Sequence, residues 1–151
     1  MVRPSSKGSN SLTITWAFQE NWFKHIRVEG KGKHPGDLGL GSELVVAEPD
    51  MAEPFSDLDE IYSRYIDPMN DYVSAMVTHK NFLSGSVEDV EATMQAQLRE
   101  RPDRIPYYIR FEPTLPGFFV LTWLSVNQHS SNPVKKDLIQ IRPNVRRPFS
   151  F

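Results

Sequence analysis

Val2-Arg3-Pro4-Ser5-Ser6-Lys7-Gly8-Ser9-Asn10-Ser11-Leu12-Thr13-Ile14-Thr15-Trp16 is the stretch on which the reading of this chain turns. Arg3 closes a short extended segment, and Ser5, Ser6, Lys7 and Gly8 make a polar turn. Leu12 to Trp16 then alternate as a strand, with Leu12, Ile14 and Trp16 on one face and Thr13 and Thr15 on the other. A guanidinium, several hydroxyls, an ammonium and the N–H groups of a turn suit a phosphate. The arginine fork takes two oxygens, and hydroxyls and amides take the rest. Taken alone, the same residues also describe a solvated Ser/Gly hairpin with one surface arginine.

The pattern recurs. Residues 109–123 read Ile-Arg-Phe-Glu-Pro-Thr-Leu-Pro-Gly-Phe-Phe-Val-Leu-Thr-Trp. Adding 107 to each number lays Arg3 on Arg110, Leu12 on Phe119, Ile14 on Leu121, Thr15 on Thr122 and Trp16 on Trp123. A period of roughly a hundred residues points to duplicated domains, because solenoid repeats are only ~20–50 residues long.

With 151 residues the chain has room for one ordinary domain or two small ones. Nine Phe, five Tyr and three Trp supply packed cores and exclude a disordered tail. The absence of cysteine removes disulfides and thiolate metal sites. No apolar run approaches the ~20 residues of a membrane span, so a soluble protein is expected, with no membrane partner. Net charge is −2, but it is unevenly spread. Residues 1–34 carry six basic and two acidic side chains, residues 35–103 four and fifteen, and residues 104–151 seven and two. Both copies of the repeat are basic and the middle is acidic, which fits an anionic ligand of limited size.

Along the chain, Asn21 to Val28 reads as a third strand with Phe23, His25 and Arg27 on one face. Gly30 to Gly41 reads as a loop, and Leu44 to Ala47 as a short strand. Ser56-Asp-Leu-Asp predicts a helix capped by Ser56, with Leu58, Ile61, Tyr62, Tyr65 and Ile66 as its stripe. Pro68 separates it from a second helix carrying Met69, Tyr72, Val73 and Met76. A third starts near Ser86, buries Val87, Val90, Met94 and Leu98, and stops before Pro102.

Val2-Arg3-Pro4-Ser5 resembles the second half of the strand-B signature Phe-Leu-Val-Arg-x-Ser of the Src-homology 2 (SH2) domain. The longer runs Arg3 to Trp16, Lys24-His25-Ile26, Asp57 to Met69 and His79-Lys80 are similar to the tandem SH2 modules of transcription elongation factors that also act as histone chaperones. The resemblance implies an α+β fold of two SH2-like domains, each a small antiparallel sheet flanked by helices, joined by a helical linker. The first domain would span 1–67, the linker 68–80 and the second domain 81–151. Both would be incomplete, the first without its N-terminal strand and helix and the second without its last helix.

It further implies a nuclear phosphopeptide-binding module that brings its factor to elongating RNA polymerase II. The partner would be the phosphorylated linker of the polymerase's largest subunit, with histones or nucleosomes engaged through the rest of a longer protein. Arg3 would be the phosphate fork, Ser5, Ser6 and Lys7 the cradle, and Thr13 and His25 its wall. The second copy departs from the pattern. Glu112 stands where Ser5 does, able to pair with Arg110, and Leu138 falls about where His25 should be. Lys135, Lys136 and Arg142 are candidates for a different basic surface there.

Other functions fit less well. An enzyme would need a nucleophile–base pair, a metal cluster or a nucleotide loop; Ser5 or Ser6 with His25 lacks an orienting acid, and His34, His79 and His129 stand alone. No catalysis, cofactor, metal or small-molecule substrate is therefore expected. A cytoplasmic phosphotyrosine adaptor predicts a single free-standing SH2 domain. A nucleic-acid module could use Trp22 and Phe23 beside Lys24 and Arg27, but the acidic middle opposes it.

Overall fold

Ile14, Trp16, Ile26 and Val28 alternate with polar neighbours along two adjacent strands, and that alternation decides which face of the first sheet is buried. The computed structural model describes residues 1–5, 10–49, 51, 53–125 and 133–143. They fall into two compact units, Met1–Asn70 with Arg142 and Pro143, and Asp71–Ile141.

The first unit is one antiparallel sheet in the order β1 (Val2–Pro4), β2 (Ser11–Gln19), β3 (Trp22–Lys31), β4 (Glu43–Val46) and β5 (Pro54–Phe55). Glu20 and Asn21 make the β2–β3 turn, where Asn21 takes φ 63°, a left-handed value that asparagine tolerates. The glycine-rich segment after β3 folds back on the strand. A Cβ at Gly30 would stand 1.7 Å from the Leu40 carbonyl oxygen, so only glycine admits that approach. Gly30→Ala is therefore expected to cost about 1–3 kcal/mol, read as a lower urea midpoint with an unchanged m-value. An unaltered midpoint would show that the loop yields freely.

After β5 the chain forms one helical run: α1 (Leu58–Ile61), a π-helical turn (Tyr62–Ile66) and α2 (Asp67–Val77). Two details differ from the sequence expectation. Asp57, not Ser56, caps the helix, its carboxylate accepting the Glu60 N–H at 2.8 Å. Ser56 N–H instead donates to Glu60 (2.6 Å), and with Arg64 beside it the Glu60 pKa is held at about 2. The helix also continues through Pro68 instead of restarting. Proline has no N–H and its ring crowds the preceding turn; the wide turn before it, where Asp67 N–H reaches the Tyr62 carbonyl, absorbs that conflict.

Ile61, Tyr65, Ile66 and Met69 are buried, whereas Leu58, Tyr62 and Tyr72 are exposed, so the apolar stripe is narrower than expected. Two bonds tie this run to the sheet. Trp16 Nε1 donates to Asn70 (2.8 Å), and Tyr65 Oη donates to Glu48 (2.7 Å), which also pairs with Lys24 at 2.5 Å. Burial, reinforced by Glu48, pushes the Tyr65 pKa up and keeps it a donor.

In the second unit Ser86 caps α3 (Val87–Glu100) through a reciprocal box with Asp89. The sheet is antiparallel in the order β6 (Tyr107–Phe111), β7 (Phe118–Leu124) and β8 (Val134–Gln140), and Phe82 bridges to Ile109. Val90 and Met94 of α3 pack with Tyr108 and Leu124 to form the core. Every pairing of β1 with β2 recurs in β6 with β7 at the offset of the sequence repeat: Arg3 faces Thr13, and Arg110 faces Val120. The chain is thus α+β, with two small antiparallel sheets and accompanying helices.

Candidate phosphate-binding site

Directly paired residues of antiparallel strands project to the same face. Arg3 pairs with Thr13, Thr13 with Arg27, and Thr15 with His25, so β1, β2 and β3 bring these five side chains to one side of the first sheet. Their chain neighbours Ile14, Ile26 and Val28 are buried on the other. Thr15 Oγ1 lies 3.0 Å from His25 Nδ1. With Thr15 donating, a neutral imidazole keeps its proton on Nε2, which leaves a donor for a ligand. Arg27 is held by Glu29 at 3.0 Å, but both side chains are more than two-fifths exposed, so this pair is cheap to break.

Arg3 is exposed and, among the described residues, has no carboxylate within ion-pair distance. The half-buried Ser5 donates its N–H to the Ser11 carbonyl (2.9 Å), joining the end of β1 to the start of β2. Ser6 and Lys7 lie outside the described residues. The sequence reading singled out Arg3, Thr13 and His25, which the strand register puts on one face. It left Thr15 and Arg27 without a role, although the alternation that placed His25 also places Arg27.

The second copy is built differently. Arg110 is 7% exposed; its Nη1 donates to the Phe111 carbonyl (3.1 Å) and its Nη2 lies 3.8 Å from Glu112 Oε2. The expected pairing of Glu112 with Arg110 is therefore present, as a long contact. Burial acts to raise the Glu112 pKa. The Thr114 hydroxyl (2.8 Å) and N–H (3.1 Å), with the charges of Arg110 and Lys136, outweigh it and hold the carboxyl below the usual range.

Leu138 does not occupy the place of His25. Thr122, the counterpart of Thr15, pairs with Lys136, and Leu138 faces Val120 as Arg27 faces Thr13. The connector between β7 and β8 is longer than the two-residue β2–β3 turn, which shifts the register read by simple spacing. Of the other basic candidates, Lys135 and Lys136 are adjacent on β8 and Arg142 lies just beyond it. Consecutive strand residues point to opposite faces, Lys136 lies 3.5 Å from Glu91, and Arg142 belongs to the first unit.

Glu112 carries a pH dependence with a definite sign. Its folded pKa is depressed below the ordinary 4.5, so its contribution to stability is complete above that value and is lost as pH falls through the folded value. Parent and Glu112→Gln should therefore converge in stability between about pH 6 and pH 3, as followed by urea denaturation. A constant difference between them over that range would mean that the carboxylate charge is immaterial.

A family profile described as SH2 domain matches residues 1–147, and the chain belongs to the SH2 domain family. Its relatives include the transcription elongation factor SPT6 of Drosophila melanogaster, 35% identical over 131 residues, which is 82% of this chain and 7% of that protein. The SPT6 homolog of Arabidopsis thaliana is 31% identical over 134 residues, covering 85% and 8%. The spt6 of Schizosaccharomyces pombe is 30% identical over 148 residues, covering 96% and 10%. The chain spans a tenth or less of the length of these three relatives.

Among solved structures, a tandem SH2 domain of transcription elongation factor Spt6, described as binding the phosphorylated RNA polymerase II C-terminal repeat domain, superposes with a TM-score of 0.79. The identity is 24%, over 93% of this chain and 68% of that one. The tandem SH2 domains of Antonospora locustae Spt6 give 0.69 at 18% identity, over 94% and 67%. The fold is that of a tandem SH2 module.

Proposed function

We propose that this chain binds a phosphorylated peptide on the β1–β3 face and thereby attaches a transcription elongation factor to the largest subunit of RNA polymerase II. The observation that carries this reading is the contrast between the two arginines. Arg3 is exposed and free of carboxylates among the described residues, in a row of hydroxyl and nitrogen donors; Arg110 is buried beside Glu112. In this reading Arg3 forks the phosphate, Ser5, Ser6 and Lys7 cradle it, and Thr13 and His25 line it, with Thr15 orienting His25 and Arg27 adding a second charge. The first SH2 domain is residues 1–67, the linker 68–80 and the second domain 81–151.

The relatives are elongation factors, which supports a nuclear role, with histone contacts assigned to the remainder of a longer protein and binding, not catalysis, as the activity. The peptide is assigned to the linker that precedes the C-terminal repeats. Fluorescence anisotropy tests this. Phosphorylated linker peptides should bind more tightly than phosphorylated repeats and far more tightly than unphosphorylated linker. Preference for the repeats would move the site along the same subunit. Indifference to phosphate would overturn the reading.

A further inference from the structure

Asn10, just before β2, is gripped twice by the glycine-rich loop that follows β3. Its main-chain carbonyl accepts the Gly30 N–H (2.8 Å), and its side-chain carbonyl accepts from Lys33 Nζ (3.2 Å). The base of the loop holds Lys33 in place. At Gly41, where φ is 105°, a Cβ would stand 2.1 Å from the Lys31 carbonyl oxygen and 3.2 Å from the Lys33 nitrogen. The two arms of the loop thus meet backbone to backbone there, as they do at Gly30. Between residues 31 and 39 only Lys33 is half-buried; the others are exposed.

Among the described residues Lys33 has no carboxylate within ion-pair distance. Asp37, in the same loop, accepts the His34 N–H (2.9 Å) instead. A surface lysine ordinarily leaves its ammonium to water. This one is anchored to a neutral amide, which leaves its charge uncompensated and two of its three donors available. Asn10 also adjoins the β1–β3 face. Its neighbour Ser11 accepts the Ser5 N–H, and Thr13, three residues on, faces Arg3. At a rise of ~3.3 Å per residue, Asn10 and the Arg3 row are about 10 Å apart along the sheet, a span that an arginine and a lysine can close on one anion.

We infer that Lys33 is a phosphate-binding residue of the first domain, brought to the β1–β3 face by its loop and held there by Asn10; the inference rests on the phosphopeptide reading above. Charge supports it. A phosphate monoester carries about −1.5 to −2 at neutral pH. On that face Arg3 offers one uncompensated charge, and Arg27 is shared with Glu29. Lys31 faces Glu43 across the β3–β4 pairing. Lys33 supplies the second charge, as a point ammonium that needs no fixed plane, beside the fork of Arg3.

The test titrates the full chain by fluorescence anisotropy with a phosphorylated linker peptide and its unphosphorylated form, at low and high salt. Lys33→Met keeps the aliphatic stem and removes the charge. It should weaken phosphopeptide binding about fivefold at low salt and much less at high salt, where an exposed charge is screened, with the urea midpoint unchanged. Lys33→Arg should bind like the parent. Asn10→Ala should lose about twofold, and should add nothing in the Lys33→Met background, because the amide acts through the ammonium. Equal Kd values for parent and Lys33→Met, a loss that persists at high salt, or an equal loss with the unphosphorylated peptide would each overturn the inference. Arg3→Ala separates it from the wider reading. Binding that depends on Arg3 but ignores Lys33 removes this residue alone, whereas binding indifferent to phosphate overturns both.

Discussion

Arg3→Ala should abolish most of the phosphopeptide affinity of this chain. Arg3 is exposed in the free protein, and a phosphate seated on it would exclude water from the pair. Truncating one partner of a desolvated, hydrogen-bonded charge pair costs about 2–5 kcal/mol, or about thirtyfold to a few thousandfold in Kd. The neighbours cannot compensate. Thr13 and Thr15 offer neutral hydroxyls, and Arg27 is shared with Glu29. Arg3→Lys should recover only part of the loss, because an ammonium keeps the charge without the planar fork. Anisotropy titration of the parent and both variants with one phosphorylated linker peptide is sufficient. Equal Kd values for parent and Arg3→Ala would remove this face from consideration.

Arg110→Ala should give the opposite result, a loss of stability with peptide affinity unchanged within about twofold. The guanidinium is buried, supplies one bond to the Phe111 carbonyl and faces Glu112. Removing it strands a largely buried carboxylate and opens a cavity, which together should cost about 2–3 kcal/mol. Thr114 still donates twice to Glu112, which keeps the estimate below that for a fully orphaned charge. Denaturation and anisotropy on the same preparation separate the two effects. A large affinity loss with an intact fold would show that Arg110 reaches ligand after all.

The sequence made the duplication legible because the repeat is carried by strands, whose alternation fixes faces and whose pairing conserves spacing. Arg3 and Arg110, Thr15 and Thr122, and Trp16 and Trp123 fall in register for that reason. Beyond the second strand of each copy, spacing stopped being a guide. Register there depends on the length of the connector, and unequal connectors put Lys136 where Leu138 was expected. The wide turn before Pro68 was hidden too, since a hydrophobic stripe does not distinguish a restarted helix from one that widens. A basic cleft at the end of α3 was invisible for a different reason. Lys80, Arg101 and Arg104 are scattered in or beside the acidic middle, and only the turn after α3 and the approach of Asn81 to β6 unite them.

The outermost strand of the second sheet carries a consequence of its own. β8 pairs with β7 on one side, and among the described residues no strand pairs with its other side. Such an edge can template another chain, and the exposed Leu138 and Ile139 would make that contact adhesive. Lys135, Lys136 and Asp137 occupy the same short strand, on both of its faces. Two copies meeting edge to edge would bring these ammonium groups together and strip them of water. The charges singled out in the sequence as candidate ligand contacts would also oppose self-association along such an edge.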